Sequence, residues 1–166
     1  MAYFAEPVDK EGFTGDFDQF YTRFAQLYDL ALKLFPIWRR WIGAVLPHVQ
    51  GPRVLEVSFG TGYLLDQYGA DVDVVGIEFN GAMIDIARGH VPGRLVALQQ
   101  ADVYHLPFKS GTFDTVVNTM AFTGYADGKL AMAELKRVLL DGGRLVMVDI
   151  NYPRDGNRMG VFLAGL

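Results

Sequence analysis

The 166-residue chain contains no cysteine. Disulfides, thiolate metal sites and a cysteine nucleophile are therefore excluded, and the absence fits a reducing compartment. No run of lysine and arginine stands out, and the formal net charge is −4. Neutralising phosphates needs clustered cations, so nucleic acid is not an expected partner. No apolar stretch reaches the length of a membrane span, and the N-terminus lacks a basic-then-apolar signal peptide. The expected location is the cytoplasm. Internal repeats and low-complexity segments are also absent. Apolar residues are abundant: 51% of the chain is hydrophobic and 20% charged. That composition is globular, and the length points to a single folded unit with a sizeable core.

The stretch Arg53-Val54-Leu55-Glu56-Val57-Ser58-Phe59-Gly60-Thr61-Gly62-Tyr63-Leu64-Leu65 organises the rest. A short apolar run precedes a loop of small residues, and an apolar helical start follows. Strand, glycine turn and helix together present backbone N–H groups to a nucleotide-like ligand at the carboxyl end of the first strand. Gly60 and Gly62 let a ligand approach the main chain, and Glu56 places a carboxylate beside the opening. The dinucleotide fingerprint G-x-G-x-x-G fits poorly, because Ser58 stands at its first glycine and Leu65 stands where the third would fall. A plain strand-to-helix turn is the other structural reading.

The pattern along the chain predicts alternating elements. Residues 1–15 read as a leader interrupted by Pro7, Gly12 and Gly15. From Asp16, residues Phe17, Phe20, Tyr21, Phe24, Leu27, Tyr28, Ala31 and Leu34 form one apolar helical stripe. Most of these rings are expected to pack on the sheet. Tyr21 and Tyr28 are candidates to close over a cationic ligand, where a ring face contributes about 0.5–2 kcal/mol. Pro36 starts a second helix and Pro47 ends it. Strands are then expected at Arg53–Val57, Val72–Glu78, Arg94–Gln99, Phe113–Asn118 and Arg144–Ile150. Helices are expected at Gly62–Tyr68, after an Asn80 cap, and at Asp127–Leu140, stopping at Asp141-Gly142-Gly143. Alternating β and α implies a parallel sheet with right-handed crossovers, and ligands in such sheets sit past the carboxyl ends of the strands.

The strand ends carry the candidate chemistry. Glu78 ends strand two, at the distance from the glycine turn where a carboxylate accepts from both hydroxyls of a ribose. Its structural alternative is a carboxylate favoured by the start of the next helix. Asp102 follows strand three and can accept from an exocyclic amine of adenine, while the Val103 N–H donates to a ring nitrogen. Asn118 and Thr119, with Met120, follow strand four. Phe79 and Met83 are either apolar walls for a base or core of the following helix. Glu56 is expected to bind the loop's own N–H groups or a water near a positively charged amino group.

Taken together, Val54–Gly62, Val75–Asn80, Ala101–Phe108, Phe113–Asn118 and Leu135–Leu145 resemble, in order and spacing, the class I methyltransferases that use S-adenosylmethionine (SAM). The similarity is to the small-molecule branch that includes the quinone-biosynthesis methyltransferases. The motif E-x-G-x-G-x-G is matched by Glu56, Gly60 and Gly62, with Ser58 in place of the first glycine. The resemblance covers roughly residues 50–152 and implies a Rossmann-like doubly wound α/β sheet of strand order 3-2-1-4-5. It implies an N-terminal helical lid over 1–50, a SAM-binding core over 51–152, and a C-terminal segment beginning at 153. The family continues with a helix and two further strands, so the chain reads as a fragment, and the open edge of strand five is expected to be covered by a second copy or by the C-terminal segment.

The cofactor set is then Glu56, Ser58, Gly60, Thr61, Gly62, Glu78, Phe79, Met83, Asp102, Val103, Asn118 and Thr119, with Tyr21 and Tyr28. The cofactor is SAM, leaving as S-adenosylhomocysteine, and no metal is expected. Methyl transfer from a sulfonium requires alignment and exclusion of water, and a base only where the nucleophile must lose a proton. His105, Tyr125 and Tyr104 lie near strand ends, but none is assigned a catalytic role. The aromatic composition points to an apolar or flat small-molecule acceptor. The alternatives are a SAM-binding scaffold without catalysis, and an NAD-dependent oxidoreductase, which the incomplete glycine fingerprint disfavours.

Overall fold

The computed structural model describes residues 10–34, 36–91 and 96–150. Two helices, α1 (Lys10–Leu34) and α2 (Pro36–Gly43), precede the sheet. The strands are β1 (Arg53–Val57), β2 (Asp73–Glu78), β3 (Ala97–Gln100), β4 (Phe113–Thr119) and β5 (Leu139–Val148). Helix α3 (Gly81–His90) joins β2 to β3, and α4 (Gly128–Val138) lies between β4 and β5. The strands form one sheet in the order β3-β2-β1-β4-β5, and every neighbouring pair is parallel. The chain lays down β1 centrally, moves outward through β2 to β3, then returns to β1's other side for β4. This reversal opens a crevice above the carboxyl ends of β1 and β4. It is the doubly wound, Rossmann-like order that the resemblance implied.

Both sheet faces are covered because β1 alternates its side chains. Val54 joins a core with Val74, with Ile42 and Val45 from the α2 region, and with Ile84 and Ala87 of α3. Leu55 and Val57 join the opposite core with Val116 and with Ala131, Leu135 and Val138 of α4. Gly62 fits this packing: a Cβ there would come within 2.8 Å of the Ala87 Cβ, and its φ is +80°. The loop after β1 can therefore press against α3 only with glycine at this position.

Several element boundaries differ from the sequence expectation. Helix α1 starts at Lys10 and runs through Gly12 and Gly15. A glycine costs a helix interior about 1 kcal/mol, which a helix of 25 residues absorbs. Residues 62–68 make successive turns, with Leu65 N donating to Gly62 O at 3.2 Å and Gln67 N to Leu64 O at 2.8 Å. So short a segment gains too few bonds to offset helix nucleation. Strand β3 begins at Ala97, and the expected start at Arg94 lies outside the described residues. Helix α4 ends at Val138, and β5 begins at once. Asp141-Gly142-Gly143 does not separate them as a stop. Phe113 pairs with Leu139 and Thr115 with Arg144, so residues 140–143 bulge out between two paired positions.

Candidate functional site

A cavity of about 340 Å³ lies at the carboxyl ends of the strands. Its size falls within the ordinary range for small-molecule sites. Of the residues expected there, Tyr21, Glu56, Ser58, Gly60, Thr61, Glu78, Phe79, Met83, Asp102, Val103 and Thr119 line it. Gly62 lies behind the lining, against α3. Asn118 is fully buried beneath the cavity, with Nδ2 donating to Val57 O at 3.1 Å and to the Tyr125 hydroxyl at 2.9 Å. The side chain of Tyr28 lies outside the described residues.

Glu78 lines the cavity at the end of β2. Its Oε2 accepts from Gly60 N at 3.0 Å, and its Oε1 accepts from Phe79 N at 2.9 Å and Asn80 N at 3.0 Å. The carboxylate thus draws the glycine loop of β1 onto the end of β2. Burial raises its pKa, the three N–H donors pull it back, and Asp18 adds a smaller upward push. A carboxylate offers about four lone-pair directions, so room remains for a ligand hydroxyl.

Asn80 was expected only as a helix cap, and its role is wider. Its Oδ1 accepts from Met83 N at 3.0 Å, the cap itself. Its Nδ2 donates to Asp18 O at 3.0 Å, Asp18 Oδ1 at 2.7 Å and Thr22 Oγ1 at 2.7 Å. The Asn80 side-chain amide therefore caps α3 and holds α1 over the cavity, while the backbone N–H of the same residue braces Glu78. His90 adds a second tie between α1 and the loop. Its Nδ1 lies 2.8 Å from Thr61 O, and its Nε2 lies 3.6 Å from Asp29 Oδ2.

Glu56 contrasts with Glu78. It is 2% exposed and lines the cavity, yet its Oε2 has no hydrogen-bond partner. The sequence reading allowed it to bind the loop's N–H groups, and Glu78 receives the Gly60 N–H instead. Burial pushes the Glu56 carboxyl up to about 8, with the neighbouring Tyr68 pulling slightly the other way. A buried acid with an oxygen left unpartnered is costly to ionise. A cation entering the cavity would reverse that balance.

The two non-glycine residues with left-handed backbone among those described both border this cavity: Ser58, φ 57°, and Met120, φ 54°. Ser58 therefore adopts the conformation that the motif's glycine would take freely, at a cost of about 1–2 kcal/mol. Its hydroxyl lies 2.7 Å from the Tyr125 hydroxyl. Burial raises the Tyr125 pKa well above its ordinary value, so its hydroxyl stays protonated and serves as a hydrogen-bonding group, not as a base. His105 is exposed and lies outside the lining. Tyr104 lines the cavity, with its hydroxyl accepting from Asp127 N at 3.0 Å.

The loop after β3 is fixed from beneath. Asp102 Oδ1 accepts from Tyr104 N at 2.9 Å. Arg137 donates to Phe108 O at 2.6 Å and Leu106 O at 2.9 Å, and Glu134 accepts from Leu106 N at 2.8 Å. Two of the sequence pieces that carried the resemblance, Ala101–Phe108 and Leu135–Leu145, thus meet through this clasp. Among the described residues, no group of acidic and histidine side chains could hold a metal ion. No described helix is long and apolar enough to cross a membrane.

Comparison with known proteins agrees with this geometry. Residues 55–147 match the family described as "Methyltransferase domain". The chain is 34% identical over 146 residues to a demethylmenaquinone methyltransferase of Thermus thermophilus, covering 82% of this chain and 66% of that protein. It is 30% identical over 154 residues to a demethylmenaquinone methyltransferase of Deinococcus radiodurans, covering 87% of this chain and 64% of that one. The chain therefore spans just under two thirds of the length of these relatives. Among solved structures, the YcgJ protein of Bacillus subtilis superposes with a TM-score of 0.65 at 25% identity, over 70% of this chain and 53% of that one. A SAM-dependent methyltransferase of Thermotoga maritima superposes with a TM-score of 0.66 at 24% identity, over 76% and 58%, and shares the fold. The chain belongs to the methyltransferase-domain family, alongside the class I SAM-dependent members represented by the quinone-biosynthesis methyltransferases.

Proposed function

We propose that the cavity binds SAM and that the protein transfers its methyl group to a small, apolar acceptor of the quinone class. The observation that carries this reading is the set of strand-end groups around one cavity: Glu78, Asp102, the glycine loop and the unpartnered Glu56. Glu78 would hold the ribose hydroxyls, with Gly60 N–H already bound to the same carboxylate. Asp102 and the Val103 N–H would hold the adenine edge, between Phe79 and Met83. Glu56 would face the amino group of the methionine arm, with Thr119 and Asn118 beside it. When bound, the sulfonium supplies the activated methyl group and its own leaving group.

The chain's residues then orient and enclose. Tyr21 of α1 and the Tyr125 hydroxyl confine the reacting end, and the N-terminal helices, residues 1–50, act as a lid that keeps water out. The core is residues 51–152, with a further segment beginning at 153. No side chain is assigned as a base. The names of the relatives support a quinone-like acceptor, and the apolar lining of the cavity is compatible with one. Among the described residues, β5 pairs only with β4. Its outer edge is expected to be covered by a second copy or by the chain's own C-terminal segment, and solution scattering from a monomer with a bare edge would contradict this.

Calorimetry with SAM, S-adenosylhomocysteine and NAD tests the assignment. The first two should bind and NAD should not. Transfer of labelled methyl should then occur to reduced quinones and not to peptides or nucleic acid. Binding of NAD alone would overturn the reading. Binding of SAM without transfer to any acceptor would leave the scaffold alternative.

A further inference from the structure

Among the described residues, most of the exposed large hydrophobic side chains gather on α1 and α2. Phe20, Phe24, Leu27 and Leu34 follow one another at helical spacing on α1, and Ile37 and Trp41 are exposed on the adjoining α2. Leu27 is 60% exposed and Leu34 65%. Isolated exposed apolar residues need no explanation, but a contiguous face of this size marks a contact surface. The same two helices border the cavity, through Asp18 and Tyr21 of α1 and Ile42 of α2.

Charge distinguishes the available occupants. The described acids of α1 turn inward: Asp18 meets Asn80 and Asp29 meets His90. Arg39 also turns inward, over the Tyr63 ring at 4.8 Å. Arg23 and Arg40 are exposed, with Arg23 5.6 Å from the Phe24 ring centre. From Leu30 to Leu55 the sequence holds Lys33, Arg39, Arg40 and Arg53 and no aspartate or glutamate, in a chain of net charge −4. The outer face is thus apolar and basic in a protein that is acidic overall. A two-fold contact between copies would bring arginines towards arginines, with no acid among the described residues of that face to receive them. An anionic lipid surface satisfies both features, burying the apolar stripe while its headgroups meet the guanidinium groups.

We propose that the outer face of α1 and α2 docks on an anionic lipid surface, setting the mouth of the cavity against the phase into which an apolar acceptor partitions. The proposal rests in part on the proposed function, which supplies the apolar acceptor, while the docking itself is tested without it. Co-sedimentation with vesicles of phosphatidylglycerol and phosphatidylcholine, and with phosphatidylcholine alone, reads the contact directly. Wild type should bind the anionic vesicles more tightly, and salt should weaken that binding. Leu27→Glu should lower binding about tenfold, and Arg23→Glu with Arg40→Glu should do the same at low salt. None of these residues lines the cavity, so SAM affinity by calorimetry should be unchanged, which also confirms folding.

Equal binding by wild type and variants would overturn the proposal, as would no binding to either vesicle. So would light scattering showing a dimer that Leu27→Glu converts to a monomer, since a second copy would then own the face. Loss of SAM binding in wild type with vesicle binding intact would instead remove the proposed function and leave the docking surface.

Discussion

Glu56 and Glu78 end neighbouring strands, both are buried, and burial raises the pKa of both. Their surroundings differ. Glu78 accepts three main-chain N–H groups, whereas Glu56 Oε2 accepts none. One carboxylate is completed by its own chain and so shapes the loop around it. In the proposed function, the other is completed by the ligand. A buried acid with N–H donors is an organiser, and a buried acid without them marks where positive charge belongs.

Substituting the organiser should have the largest effect. Glu78→Ala removes the acceptor for three N–H groups, and we expect a loss of about 2–3 kcal/mol in urea unfolding and about 100-fold in SAM affinity. Glu56→Gln should separate the two quantities. SAM affinity should fall about tenfold by calorimetry, while stability at neutral pH should hold or rise, because the variant no longer has to take up a proton on folding.

The pH dependence sharpens the contrast. In the unfolded chain Glu56 loses its proton near the ordinary value of 4.5, whereas in the folded protein it holds it up to about 8. The folded state therefore binds more protons between these limits. The stability from the neutral form is fully present below the lower limit and is lost as pH rises through the upper one. The slope contributed is at most about 1.4 kcal/mol per pH unit. Thermal melts of wild type and Glu56→Gln across this window should show the variant with the flatter profile. Equal slopes would remove the distinction between the two acids.

The smallest effect is expected at Ser58. Ser58→Gly relieves about 1 kcal/mol of left-handed strain and gives up a hydroxyl contact of about 1 kcal/mol. Its melting temperature should barely move. Tyr125→Phe, which leaves Asn118 Nδ2 and Ser58 one partner short, should cost about 1 kcal/mol with no strain relieved.

The strands were legible because most carry an apolar run that ends at a turn, while their order was legible only through the resemblance to a known family. The ties beneath the crevice were not. Arg137 grips the carbonyls of Leu106 and Phe108, and a carbonyl acceptor leaves no trace in residue identity. Asn80 showed its local role as a cap but not its reach to Asp18 and Thr22, which depends on how α1 docks. Gly12 and Gly15 read as breakers because propensity is local, while the length of α1 offsets them. Asp141-Gly142-Gly143 read as a stop because a bulge and a turn use the same residues.

Asn80 carries one further consequence. Its side-chain amide secures α1, and its backbone N–H steadies Glu78, the acid proposed to grip the sugar. Swinging the helix aside strips that acid of a neighbour, and shifting the acid loosens the helix. Under the proposed function, admission of fresh cofactor and escape of the spent one would then be two halves of a single latch movement.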